Sequence, residues 1–392
     1  MKKNNQARFA ALFCATLLAS LSALQTASPS GSPAPSASVS GNDIAALTPQ
    51  VKQKLDRAIG EIQKKAGVPG LMVALHVPGK GNYVKSFGVS DKKTEAQFTP
   101  TMYSRIGSVT KSFTVTGLLQ LAEENKVRLD DPVSKYMRGV PNGQKITLRD
   151  LADMRSGLFN YTLDEEYDKL DNSRRSFTPE QLLAYAFKHP VNFQPGKEFE
   201  YSNTNTVLIG LIIEKITKSS LREYLDKEVI APAGLKDTFF PKGSEIPAPR
   251  IHGYTKKTAD GPTVDSTFWN PSWGWAAGAV ISSVNDVSKW ARVLGTGSLL
   301  EAKTQAERLK GKPTGTPGFS YGLGLSNANG WVGHDGSIAG YQTLCFYLPS
   351  ARATLAVVAN TDIPYKGKPV SSSIGAAVTE IVSPGNFYGS RR

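Results

Sequence analysis

The sequence predicts an α+β (α/β) fold: an antiparallel sheet flanked by helices, with an all-helical subdomain inserted between its two halves. Short β-rich runs lie at both ends of the chain, "LMVALHV" and "NYVKSFGV" early, "GWVGHDG", "YQTLCFYLP" and "ATLAVVANT" late. The long middle carries apolar residues at helical spacing. Strands from both ends would then form one sheet, and a site would sit in the cleft between that sheet and the inserted helices.

Each element has its own signal. Thr48 and Pro49 read as an N-cap and first helical position. Val51, Leu55, Ile59 and Ile62 then recur at helical spacing until Gly67 stops the helix. Leu71 to Val77 reads as a buried strand, "PGKG" as a turn and "NYVKSFGV" as the returning strand. Helices are expected near 109–126, 148–155, 179–188, 204–217 and 219–228. After these, "YGLGLS", "GWVGHDG", "YQTLCFYLP" and "ATLAVVANT" read as strands, and a last helix fits 369–382. No repeats are evident.

The start of the chain has a different character. "MKKNNQAR" is cationic, "FAALFCATLLASLSAL" apolar and "QTASPSGSPAPSASVSG" small and polar. That order is expected of a cleaved signal peptide, 1–27, and a flexible Ser/Pro/Gly linker, 28–46. One large domain would fill 47–384, its helical subdomain spanning about 109–270, with 385–392 as a tail. The protein is expected to be secreted or periplasmic, with no stable membrane insertion after cleavage. Cys14 lies within the signal, leaving Cys345 alone and unable to form an internal disulfide.

Composition is ordinary for a globular protein, 40% hydrophobic and 20% charged over 392 residues. The formal net charge of +13 is scattered, with no basic run or nucleic-acid motif, so no nucleic-acid partner is expected. His76, His189, His252 and His334 are dispersed and show no zinc spacing, so neither metal nor cofactor is expected.

Two serine motifs compete for chemistry. "GFSYG" around Ser320 matches a nucleophile-elbow pattern, which needs a strand before it and a helix after it. Here a loop precedes and a strand-like run follows, so Ser320 reads as a turn residue before a strand. Ser108 follows Gly107 and opens a helix, where unpaired backbone N–H groups point outward. Lys111 stands one turn along on the same face. A partly desolvated lysine has a lowered pKa and can take a hydroxyl proton. Alone, the pair is common in sequences and reads better as an N-cap serine beside a solvated lysine. "EYSNTN" adds Tyr201, a phenol able to relay protons, and Asn203, an amide able to hold a substrate carbonyl or the lysine. "GHDGSIAGY" adds His334 and Gly336, where a missing side chain would let a substrate backbone lie against the strand.

These three segments, in this order, resemble the penicillin-recognising serine hydrolases, in the branch of class C β-lactamases, DD-carboxypeptidases and related esterases. The resemblance covers about residues 50–380, with secondary matches at "DMRSGL", "IAPAGLKDTFF", "WGWAAGAVISSVNDVSKW" and "YGLGL". It implies a β-lactamase/transpeptidase-like fold and an acyl-enzyme on Ser108. Lys111 and Tyr201 would remove and relay the proton, with the base left open between them. Asn203, His334, Gly336 and Ser337 would bind substrate, and the N–H groups of Ser108 and Ser337 would form the oxyanion hole. The implied substrate is a small molecule or peptide, with a peptidoglycan stem peptide and a β-lactam among the candidates. The implied activity is that of a D-alanyl-D-alanine carboxypeptidase or β-lactamase relative. An esterase, a D-amino acid amidase or aminopeptidase, and a slow-turnover penicillin-binding protein are the alternatives. Two positions depart from the carboxypeptidase pattern. Ser326 follows "YGLGL" where an arginine is expected, and Asp335 stands where a threonine is typical. Both weaken recognition of a terminal carboxylate.

Overall fold

The computed structural model describes residues 44–170, 173–256 and 261–390. The expected signal peptide and nearly all of the expected linker lie outside the described residues. Helix α1, Pro49–Lys65, starts on the Thr48 side chain, which accepts from Val51 N–H, and buries Leu55 and Ile59. The hairpin of β1, Gly70–Val77, and β2, Gly81–Gly88, follows.

The next strand, β3, is only Ser104–Arg105, and α2, Thr110–Glu123, follows a single 3-10 turn at Gly107–Val109. The helical middle continues through α3, Leu148–Ala152; α4, Glu165–Asp168; α5, Pro179–Phe187; α6, Asn203–Thr217; and α7, Leu221–Leu225. A small ribbon, β4 (Tyr254–Lys256) with β5 (Thr263–Asp265), precedes β6, Ile281–Ser282. Helices α8, Val284–Thr296, and α9, Ala302–Leu309, lead into β7, Lys312–Pro313; β8, Phe319–Tyr321; and β9, Ser326–Ala328. The long strands β10, Trp331–Ile338; β11, Tyr341–Leu348; and β12, Ala353–Ala359 precede the final helix α10, Val370–Val382.

Eight strands form one sheet in the order β2-β1-β12-β11-β10-β9-β8-β7, every neighbouring pair antiparallel. Period-two alternation sorts its side chains. Leu71, Val73, Leu344, Phe346, Leu355 and Val357 face α1 and α10. Met72, Ala74, Cys345, Ala356 and Val358 face the opposite way, into the core that α8 shares with the helical middle. Both faces are therefore covered, which is why the central strands read as continuous apolar runs.

Three sequence expectations change. "YGLGLS" is not one strand: β8 ends at Tyr321 and β9 begins at Ser326, with a turn between. Gly324 takes φ +69 there, and a Cβ on it would lie 2.5 Å from the Val115 side chain, so the turn packs this closely on α2 because the residue is glycine. Ser320 sits inside β8, opposite Pro313 and Asn327, rather than in a turn. Helix α8, which the sequence reading passes over, has clear caps: Ser283 accepts from Asp286 N–H, and Gly297 ends it left-handed.

Asp362, just past β12, ties this end of the sheet to the ribbon. Its Oδ2 accepts from Thr255 Oγ1 at 2.9 Å, and its Oδ1 is out of water with no hydrogen-bond partner. Burial pushes the carboxyl pKa up to about 6, from an ordinary 3.8. A raised pKa means that the protonated form favours folding. That contribution is complete below the unfolded value and is lost as pH rises through about 6. Asp362→Asn should therefore gain stability against wild type between about pH 4 and pH 7, by about 2 kcal/mol. Denaturant melts of both proteins at the two pH values measure this, and a pH-independent difference would refute it.

Candidate active site

Three neighbours position Ser108. Strand β3 pairs with β6, and Ile106 N–H donates to Val280 O at 3.1 Å. Thr110 Oγ1 accepts from Val280 N–H at 3.1 Å, and Thr114 Oγ1 donates to Ala276 O at 2.8 Å. The 276–282 segment is thus laced along the start of α2. The third neighbour is β10, and two glycines allow its approach. Gly107 takes φ +51, and a Cβ on it would lie 2.7 Å from the Ser337 nitrogen. A Cβ on Gly336 would lie 2.0 Å from Ile106 O and 3.0 Å from Ser108 N. Both distances are closer than side chains tolerate, so the two backbones touch only because neither residue has one. The space at Gly336 is filled by the Ile106 carbonyl.

Strand β10 is covered by β9 only as far as the Gly333–Ser326 pair. The Gly333 carbonyl points to that side, where it accepts from Ser326 Oγ at 3.2 Å. Successive peptide groups alternate across a strand, so Ser337, four residues on, aims its N–H off the same edge. This edge faces the turn that carries Ser108.

Lys111 is fully buried. Its Nζ lies 3.0 Å from Ser108 Oγ, 2.7 Å from Asn203 Oδ1 and 2.8 Å from Ala277 O. This set fits both protonation states. A neutral amine has two N–H donors and one lone pair, so it can donate to Asn203 and Ala277 while accepting the Ser108 O–H. After proton transfer the ammonium has three donors and three acceptors. The ring of Tyr201 lies over the same nitrogen, 4.8 Å from its centroid. Asn203 is the first residue of α6, and its Nδ2 reaches Asn160 Oδ1 at 3.3 Å and Thr162 Oγ1 at 3.4 Å. Of the two roles open to this amide, the structure shows the one that holds the lysine.

His334 is 2% exposed and stands behind this layer. Its Nδ1 meets the Asp335 carbonyl, which can only accept, so that nitrogen carries the proton. Burial lowers its pKa to about 4, and the positive charge of Arg308, joined by that of Lys111 whenever the amine is protonated, pushes the same way against the opposing pull of Asp335. The ring is therefore neutral at ordinary pH, and its Nε2 accepts from Tyr321 O–H at 3.0 Å. Both ring nitrogens are thus engaged within the protein.

The structure brings Ser108, Lys111 and Asn203 together by hydrogen bonds, Tyr201 by ring contact, and Gly336 and Ser337 by backbone approach. Sequence reasoning missed Ala277, whose contribution is a backbone carbonyl that no residue type announces. It also missed Tyr321, which lies within the quoted "YGLGL" segment, and Asn160 and Thr162, which steady Asn203 from a loop.

Comparison with known proteins identifies the family. The profile of the Beta-lactamase family matches residues 55–372. The D-stereospecific amidohydrolase from a Streptomyces species is 32% identical, with a TM-score of 0.73 over 79% of this chain and 94% of that one. The D-amino acid amidase from Ochrobactrum anthropi SV3, solved with L-phenylalanine amide, is 30% identical, with a TM-score of 0.74 over 83% of this chain and 98% of that one. Among curated sequences, protein flp of Staphylococcus aureus strain MW2 is 27% identical across 82% of this chain. A putative penicillin-binding protein, PbpX, of Bacillus subtilis strain 168 is 28% identical across 70%. The matched region spans 66% of the length of each of these two relatives. The fold is β-lactamase/transpeptidase-like, and the chain belongs to the Beta-lactamase family of serine acyl-transfer enzymes.

Proposed function

We propose that this serine hydrolase cleaves amide or ester bonds through an acyl-enzyme on Ser108, with D-configured aminoacyl amides and neutral esters as preferred substrates. The observation that carries the reading is the bond set of Lys111, which suits a neutral amine before the reaction and an ammonium after it. Ser108 Oγ attacks the substrate carbonyl carbon while its proton passes to Lys111 Nζ. The carbonyl oxygen, now negative, takes hydrogen bonds from the N–H groups of Ser108 and Ser337. As the carbonyl re-forms, the bond to the leaving group breaks. The leaving amine or alkoxide takes the proton back from Lys111, directly or through Tyr201. Water then attacks the ester on Ser108 by the same route in reverse.

The substrate preference rests on the similarity to two D-stereospecific amide hydrolases and on two side chains. Ser326, whose hydroxyl is tied to the Gly333 carbonyl, brings no cation, and Asp335 adds a negative charge to the strand beside the site. A charge-assisted contact is worth about 1.5–3 kcal/mol, so a substrate with a free terminal carboxylate loses roughly ten- to a hundred-fold.

Ser108→Ala should abolish turnover and labelling by a fluorophosphonate, while Ser320→Ala leaves both nearly unchanged. The reverse pattern would move the nucleophile to β8. Gly336→Ala should lower kcat/KM for p-nitrophenyl acetate by roughly a hundred- to a thousand-fold, the cost of one misplaced oxyanion donor. Unchanged rates in a folded variant would put the donors elsewhere. A panel of D-amino acid amides, p-nitrophenyl acetate, D-Ala-D-Ala peptides and a cephalosporin tests the preference. Efficient carboxypeptidase action by the wild type would overturn it, and a stoichiometric burst without turnover would mark a penicillin-binding protein instead.

A further inference from the structure

Arg308, in α9, is 1% exposed and is bonded only to neutral oxygens among the described residues. Its Nε donates to Leu323 O at 3.2 Å, Nη1 to Thr116 Oγ1 at 3.0 Å, and Nη2 to Ser112 O at 3.2 Å. No carboxylate among the described residues forms an ion pair with it. The acid next to it in sequence, Glu307, pairs with Arg149 and Lys310. A buried guanidinium without an acid is costly. A purely structural clamp between these oxygens could be made by uncharged donors. The charge itself therefore calls for a use.

Its position suggests one. Ser112 follows Lys111 on α2, so the guanidinium is bonded to the helix backbone at the residue next to Lys111. Leu323 lies in the Gly322–Leu325 turn, two residues past Tyr321, whose hydroxyl donates to His334. The charge of Arg308 acts on His334, whose ring lies 6.1 Å from that of Tyr201, the ring against which Lys111 Nζ sits. The other titratable groups around this interior are Tyr321 on β8, His334 and Asp335 on β10, Cys345 across from His334 on β11, and Tyr201 before α6.

We propose that Arg308 is a positioning residue for proton transfer: it pins the Gly322–Leu325 turn to α2 and keeps the interior beside Lys111 positive, so that the uncharged amine is the resting form. This rests on the reading of Lys111 as the acceptor of the Ser108 proton. Positive charge nearby disfavours a second cation and so lowers the pH at which the amine becomes free.

The test is the acid limb of kcat/KM for p-nitrophenyl acetate, a neutral substrate, measured in wild type, Arg308→Met, Arg308→Lys and Thr116→Asp. Arg308→Met should move the limb up by about one pH unit, and Arg308→Lys, which keeps the charge, should leave it in place. Thr116→Asp sets a carboxylate against the guanidinium and should move the limb upward too; it decides the matter if Arg308→Met does not fold. An unmoved limb in folded Arg308→Met or in Thr116→Asp overturns the proposal. Equal movement in the Met and Lys variants also overturns it, because shape alone would then account for the effect. Fluorophosphonate labelling of Ser108 at the plateau pH separates the two levels. Absence of label in wild type defeats the nucleophile assignment, whereas normal labelling with an unmoved limb defeats only the role of Arg308.

Discussion

Everything at the centre of this molecule is arranged around one buried nitrogen. Lys111 has no access to water, so its hydrogens must meet protein oxygens, and the oxygens it meets come from three separate stretches of chain. Ser108 is on its own turn, Asn203 begins α6, and Ala277 lies in the strap before β6. Satisfying one amine thus ties α2, α6 and the strap to one another. Thr110 and Thr114 reinforce the arrangement by lacing α2 to the strap, and Asn160 and Thr162 steady the asparagine from the other side. The energetics of burying a polar group and the geometry of the reaction impose the same constraint.

The second constraint is the absence of two side chains. Gly107 and Gly336 let a turn and a strand edge come together backbone to backbone, so two peptide N–H groups can serve one oxygen. Donors fixed in this way need little reorganisation when charge appears on that oxygen. The scaffold that fixes them is the same eight-stranded sheet whose faces are packed on both sides.

The sheet, its flanking helices and the Ser108–Lys111 pair were legible because each leaves a local trace. Strands β10 to β12 announce themselves as apolar β-rich runs, α1 has a cap and a periodic face, and i, i+3 spacing puts a serine and a lysine on one side of a helix. What was not legible depends on tertiary contact. The bend at "YGLGL" packs Gly324 directly against Val115 of α2, a contact that only the tertiary fold creates. The role of Ala277 is carried by a carbonyl. The partner of His334 Nε2 is Tyr321, thirteen positions earlier in the chain and brought close by the β8–β9–β10 pairing. Helix α8 is different: its caps, Ser283 and Gly297, are local signals that no tertiary contact hides.

The topology of the sheet also sets the order in which the chain can become an enzyme. Strand β1 is flanked by β2, its immediate successor, and by β12, which follows the whole helical middle. Asn360 Oδ1 accepts from Gly70 N–H across 290 residues of chain. During synthesis the N-terminal hairpin emerges early with one edge of β1 bare, and it stays bare until the last strands arrive. Long-range pairing of this kind is slow and leaves sticky edges exposed in the interval. Ser337 lies on β10, so the oxyanion side of the site is among the last parts to be laid down. A nascent chain already carries Ser108 and Lys111, but it lacks the strand needed to complete their site, so hydrolytic competence waits for the C-terminal strands.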